Sequence, residues 1–127
     1  MKRLLVLLFA ISLMIVTLTS CEERSYIMFD DASATCDAKA QTVILSTTKP
    51  VEFITIHSNQ ADELDCQLQP GDILECDGGW FIVSCRKNDF DIKVSLRAND
   101  WGVDRSISIQ ALSNGTYASC TLVQTKD

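Results

Sequence analysis

Apolar and polar residues alternate with a period of two along most of this chain, and that period belongs to strands. Phe90, Ile92, Val94 and Leu96 share one parity, while Asp91, Lys93, Ser95 and Arg97 share the other. This predicts a half-buried antiparallel strand. Ile107, Ile109 and Ala111 alternate in the same way with Ser106, Ser108 and Gln110. Ala118, Cys120 and Leu122 then alternate with Ser119, Thr121 and Val123. Between these two runs lies Asn114-Gly115, and both residues tolerate the positive φ of a type I′ turn, so the pair predicts a hairpin.

Upstream, Thr42 to Ser46 is rich in β-branched residues and ends at Thr48-Lys49-Pro50. Val51 to His57 predicts another strand, with Val51, Phe53 and Thr55 on one face and Ile54 and Ile56 on the other; Ser58-Asn59-Gln60 breaks it. Leu64 to Leu68 predicts one weak strand. Ile73 to Cys76 follows a Gln69-Pro70-Gly71-Asp72 turn and ends at Asp77-Gly78-Gly79. Trp80 to Cys85 is apolar at both parities, which suggests a central strand covered on both faces. Asn99-Asp100-Trp101-Gly102 is expected to be a loop. No window after Cys21 has a helical period. Short strands recurring about every ten residues predict an all-β, antiparallel β-sandwich. The domain should span residues 26–127, with no internal repeat and no low-complexity linker.

The first twenty residues do not fit that pattern. Lys2 and Arg3 precede an apolar run from Leu4 to Thr19, relieved only by Ser12, Thr17 and Thr19. A spanning helix takes about 20 apolar residues, and a basic start, a short apolar run and small residues are the layout of an export signal. Leu18-Thr19-Ser20-Cys21 is similar to a bacterial lipobox. Small side chains at Thr19 and Ser20 let a peptidase reach the backbone, and the Cys21 thiol is the atom to be alkylated. The expectation is a lipoprotein signal peptide at 1–20 and a tether at 21–25. Cys21 would be lipidated and become the first mature residue, held firmly in a membrane by more than one acyl chain. The alternative is an ordinary signal peptide or an uncleaved anchor in which Cys21 is incidental. Glu22 and Glu23 resemble surface-export signals of some bacteria and favour the outer membrane, on its cell-surface or periplasmic face.

Charge removes one class of partner. Without residues 1–20 the chain keeps nine basic residues against seventeen acidic ones, a formal charge of −8. No Lys/Arg stripe exists, so nucleic acid is not an expected partner. An exported chain can form disulfides. With Cys21 set aside, Cys36, Cys66, Cys76, Cys85 and Cys120 remain, an odd count that leaves at least one thiol unpaired. Cys66 and Cys76 flank the Pro70-Gly71 turn and are candidates for a disulfide across a hairpin. The alternative is that several cysteines serve as small buried apolar residues. No Cys-x-x-Cys or His-bearing pattern points to a metal.

Catalytic chemistry finds little support. His57, the only histidine, ends an apolar strand, and nothing in the sequence pairs it with Cys66 or Cys85 as a nucleophile and base. Asp62, Glu63 and Asp65 crowd four residues of loop, whereas glycoside hydrolysis needs two carboxyls set across a cleft. They are expected to be a solvated face, and they lack the ligand spacing of a calcium loop. No catalytic residue, cofactor or metal is assigned. Asn114-Gly115-Thr116 also fits a glycosylation sequon, but a turn explains it better.

Taken in order, Trp80-Phe81-Ile82-Val83-Ser84, Ile92 to Asn99, Asp104 to Ile109 and Thr121-Leu122-Val123-Gln124 resemble the BACON domain, the Bacteroidetes-associated carbohydrate-binding often N-terminal module. The resemblance is clear from Trp80 to Gln124 and looser from Tyr26 to Gly79. The cysteine-bearing, acidic stretch from Asn59 to Gly79 departs from it, as does a domain standing alone behind a lipobox. The resemblance implies an immunoglobulin-like fold, a non-enzymatic role in binding or adhesion, and glycan as the ligand class. The rival is a structural or accessory lipoprotein that binds an envelope protein. Matched residues look structural: Trp80 in or near the core, Asn99 shaping the turn after its strand, Arg105 bridging that loop, and Gln124 pairing with backbone. Sugar contacts, if present, would fall to Trp101, with Asp100 and Asn99 beside it, and to Tyr117 after the Asn114-Gly115 turn. Trp101 could equally fold back as a lid on the sandwich edge.

Overall fold

The computed structural model describes residues 26–58 and 61–127. The expected signal, Cys21 and the tether lie outside the described residues. Within them ten strands form two sheets and no helix is present. One sheet has the order β1 (Ser33–Cys36), β10 (Thr116–Gln124), β9 (Arg105–Ser113), β3 (Phe53–Ser58), β4 (Ala61–Asp65). The other has the order β2 (Gln41–Ser46), β8 (Asp91–Leu96), β7 (Phe81–Arg86), β6 (Ile73–Asp77), β5 (Gln67–Gln69). Every pairing is antiparallel except β1 with β10.

Alternation decides which side chains meet between the sheets. Ile54, Ile56, Ile107, Ile109 and Leu122 come from one sheet, and Phe81, Val83, Ile92 and Val94 from the other; all are almost fully buried. Burying one such side chain stabilises by roughly 1.5–3 kcal/mol before chain entropy is counted. The β9–β10 hairpin turns as expected, with φ of 48° at Asn114 and 76° at Gly115.

Three expectations need correction. Leu64 to Leu68 is not one strand: β4 pairs with β3 in the first sheet, and β5 pairs with β6 in the second. The chain crosses between sheets at Cys66, whose N–H donates to the Ile54 carbonyl. Strand β7 is covered on one face only, since Phe81, Val83 and Cys85 are buried while Ile82 and Ser84 are half-buried. The parity of Phe90 does not carry it inward. It precedes β8 at a turn and is exposed, because the pairing of β2 with β8 begins at Ser46 and Asp91.

A second crossing occurs at the opposite edges. Phe29 bridges Thr47 beside β2, and β1 then joins β10 in the other sheet. Register sorts the loops into two ends. Arg105 pairs with Gln124 at one end of β9–β10, and Ser113 pairs with Thr116 at the other. Nine residues per strand separate these ends by about 27 Å.

Candidate functional site

The Arg105 end carries the site. Trp80 lies one residue before β7, the loop 97–104 follows β8, and Arg105 opens β9. The topology sets β7 and β8 in one sheet and β9 in the other, so these segments meet where the sheets close. The Arg105 guanidinium lies 4.4 Å from the Trp80 ring centroid and 4.6 Å from that of Trp101. The two indoles meet edge-on at 6.0 Å, and Trp80 meets Phe81 edge-on at 5.0 Å. Arg105 is 2 % exposed, and a buried guanidinium needs partners for its donors. Its Nε donates to Gln124 Oε1 at 2.9 Å, and one terminal nitrogen donates to the carbonyls of Arg97 and Ala98 at 2.8 and 3.2 Å. Burial pulls the guanidinium below its ordinary pKa, and the nearby Asp100 carboxylate opposes that shift.

Gln124 and Asn99 complete the network. Gln124 Nε2 donates to the carbonyls of Lys39 and Arg97. Asn99 Nδ2 donates to the carbonyls of Val103, Gln124 and Thr125, and its Oδ1 accepts from the Trp101 N–H. Among the described residues no buried side-chain nitrogen or oxygen lacks a hydrogen-bond partner. The loop carrying Trp101 is therefore held from both sides.

An open cleft of about 640 Å³ lies against this network, lined by Trp80, Phe81, Arg97, Asp100, Trp101 and Arg105. Gly78 and Gly79 also line it. A Cβ added at Gly78 would clash with the Phe81 ring, so glycine there lets the buried ring close up under the cleft. Trp101 remains 44 % exposed with one side against Arg105. A fixed, half-exposed indole beside an exposed carboxylate and an exposed guanidinium offers an apolar stacking surface flanked by a few polar groups, as small-ligand sites do.

The sequence candidates divide. Trp101 and Asp100 line the cleft. Asn99 does not serve as a contact residue: it is 2 % exposed and its amide is fully engaged with backbone. Tyr117 is 66 % exposed but pairs with Leu112 near the Asn114-Gly115 turn, so it belongs to the opposite end and shares no site with Trp101. The packing of Arg105 against two indoles that also touch each other was not legible in sequence. Trp80, Trp101 and Arg105 lie on three segments, and only the order of β7, β8 and β9 brings them together.

The thiols sit elsewhere in the core. Cys66 and Cys76 are free thiols in side-chain hydrogen-bond contact with each other. They continue the register in which Gln67 faces Glu75. Burial raises the pKa of each, and pushes Cys85 up to about 11 with help from Asp89 and Asp91. These are protonated thiols at neutral pH, the opposite of an activated nucleophile. His57 faces outward on β3 and is exposed. Among the described residues no three His, Cys, Asp or Glu side chains group to hold a metal.

Neither the family models nor the curated proteins compared with this chain include a match. Two solved structures are similar. A protein from Bacteroides thetaiotaomicron, determined by NMR, is 15% identical with a TM-score of 0.58, over 81% of this chain and 89% of that one. Titin domain M7 is 9% identical with a TM-score of 0.51, over 81% of this chain and 95% of that one. At these identities the likeness concerns the fold, and it makes this chain an immunoglobulin-like β-sandwich.

Proposed function

We propose that this chain is a lipid-anchored, non-enzymatic protein of a bacterial outer membrane that binds glycan at the Trp101 cleft. The observation that carries the reading is the indole of Trp101, held half-exposed on Arg105 at the edge of a cleft that Asp100 and Arg97 also line. One side of the ring packs on Arg105 and Trp80, and the other stays open on a loop, where binding residues concentrate. Its flat ring suits the C–H face of a sugar, and the flanking charged groups suit hydroxyls. The BACON resemblance from Trp80 to Gln124 supplies the ligand class, and the lipobox at Leu18 to Cys21 supplies the location.

A glycan array probed with detergent-solubilised mature protein tests this. Binding that Trp101→Ala abolishes and Tyr117→Ala leaves intact is the expected result. Silence of the wild-type protein across the array at high concentration would overturn the glycan reading.

One observation favours the second reading, a partner protein. Strand β2 is the edge of its sheet and carries the exposed Ile44, beside a small groove that Phe29 and Asp30 also line. An open strand edge is a template for strand addition. A single stoichiometric partner lost on Ile44→Lys, with no glycan signal, is the outcome that would replace the first reading with the second.

A further inference from the structure

The end of the sandwich opposite the cleft has its own surface character. Tyr26, Met28, Phe90, Leu112 and Tyr117 are five of the ten exposed large apolar side chains among the described residues, and all lie at the Asn114 end. The Ile27 N–H donates to Thr116 Oγ1, and the Met28 carbonyl accepts from the Thr48 N–H. Phe90 lies beside Thr47, and Tyr117 faces Leu112 on the outer side of β10 and β9, with Phe53 next in register on β3 and half-buried against the core. The loops and strand ends here carry Lys49, Arg86 and Lys87 against Asp30, Glu52, Asp72, Asp89 and Asp91. The structure thus gathers five exposed aromatic and apolar side chains at one end, among charges of both signs.

We infer that this end is the face the domain sets against the membrane, with Tyr26, Met28 and Tyr117 seated among lipid headgroups. The inference rests on the reading of Cys21 as the lipidated residue. Four residues lie between Cys21 and Tyr26, and the five fully extended steps from one to the other reach at most about 17 Å. The first described residue, at the Asn114 end, is thus kept within that distance of the acyl chains. The cleft end is about 27 Å further along the strands. Lying flat, the domain would press Ser119, Thr121, Ser106, Ser108 and Gln110 of an outer sheet face against lipid. Standing on the Asn114 end offers two tyrosines and a methionine instead, and tyrosine, with tryptophan, is a residue type enriched at membrane–water interfaces. The occupant of this apolar patch is a lipid surface, and the consequence is that the Trp101 cleft faces away from the membrane.

The test uses the full chain, expressed in a bacterium, purified from membranes and returned to phosphatidylethanolamine vesicles with or without brominated phosphatidylcholine. Intact mass first establishes acyl groups on Cys21; a mature protein without them overturns the anchor and this inference together. With the anchor present, Tyr117→Trp should lose roughly half of its added emission to brominated lipid, because its indole sits ~5–10 Å into the headgroup boundary. Val103→Trp, at the cleft end, should lose none. Quenching equal at both positions, or absent from Tyr117→Trp while Cys21 is acylated, overturns the inference and leaves the anchor standing. Shielding of Tyr117→Trp from aqueous acrylamide without bromine quenching would mean that protein, not lipid, covers this end, and would also overturn it.

Discussion

At the cleft end of the sandwich, side chains hold the loops. Arg105, Gln124 and Asn99 reach the carbonyls of Lys39, Arg97, Ala98, Val103 and Thr125, and two indoles close over the guanidinium. At the other end the turns rest chiefly on backbone conformation, with the hydroxyls of Thr47 and Thr116 each donating to loop carbonyls. All three positive-φ residues other than glycine among the described residues, Asp72, Asn88 and Asn114, lie there, and each is a type that tolerates the left-handed region. The difference has a physical consequence. A loop tied by buried polar side chains can hold an aromatic ring in a fixed, half-exposed pose. A tight turn needs no such ties, so its neighbouring side chains point outward and meet whatever lies outside.

The largest expected effect breaks the cleft end. Arg105→Met removes a buried cation and leaves the buried Gln124 Oε1 without a donor, while the carbonyl of the exposed Ala98 can turn to water. Each buried group left unsatisfied costs about 1–3 kcal/mol, and each desolvated cation–π contact contributes up to about 2. Relief of the guanidinium's own desolvation offsets part of the total. A net loss of about 3–4 kcal/mol in urea unfolding is expected. Hydrogen exchange should rise across residues 97–104 and stay unchanged at Asn114-Gly115. A loss below about 1 kcal/mol would show that the network is ornamental and that the two ends are held alike.

Alkaline pH should act on the other half. Cys85 is the penultimate residue of β7, beside the turn that carries Asn88, and its pKa is raised to about 11 from an ordinary 9.0, first by burial and then by Asp89 and Asp91. The folded chain therefore holds this proton where the unfolded chain releases it. Its stabilising share is complete below pH 9 and is lost as pH rises through about 11. Unfolding midpoints measured from pH 8 to pH 11 should fall, and Cys85→Ala should remove part of the fall, the rest belonging to the other buried thiols of raised pKa, Cys66 first among them. Exchange at high pH should begin in β6 and β7 near Asp72 and Asn88 while the Asn99 loop stays protected. Fraying that begins at Trp101 instead would reverse the comparison.

How much of this was legible depends on whether local pattern or meeting of distant segments decides each feature. Ile92, Val94, Ile107 and Ile109 announce their inward faces because a strand's period is two, and Asn114-Gly115 announces its turn because few residues accept that φ. Arg105 and Gln124 are the ties between loop and sheet that the sequence suggests, whereas Asn99, also a candidate sugar contact, is buried and spends its amide on backbone. Cys66 was hidden, since a crossing between sheets interrupts neither hydrophobicity nor polarity along the sequence. Phe90 misled because it continues the parity of β8 one residue beyond the last partner on β2. The cleft itself was out of reach: it exists only where the ends of two sheets converge, and no local window contains Trp80, Trp101 and Arg105 together.

The smallest expected effect is also the most discriminating between the ends. Trp101 and Tyr117 are both exposed aromatic residues beside turns, and composition alone gives no reason to treat them differently. Their contacts do. Trp101 rests on Arg105 and meets Trp80 edge-on, so Trp101→Ala should cost about 1 kcal/mol through one partly exposed cation–π contact and one aromatic pair. Tyr117 stands on an open sheet face, and surface replacements there usually stay within ~0.5 kcal/mol, so Tyr117→Ser should leave the unfolding curve of the detergent-solubilised protein unchanged. The pair is best measured together with its double mutant, because sites about 27 Å apart should add without coupling. If Tyr117→Ser proves the costlier change, the turn end is packed rather than presented, and an aromatic residue there is part of the fold instead of a surface for something else.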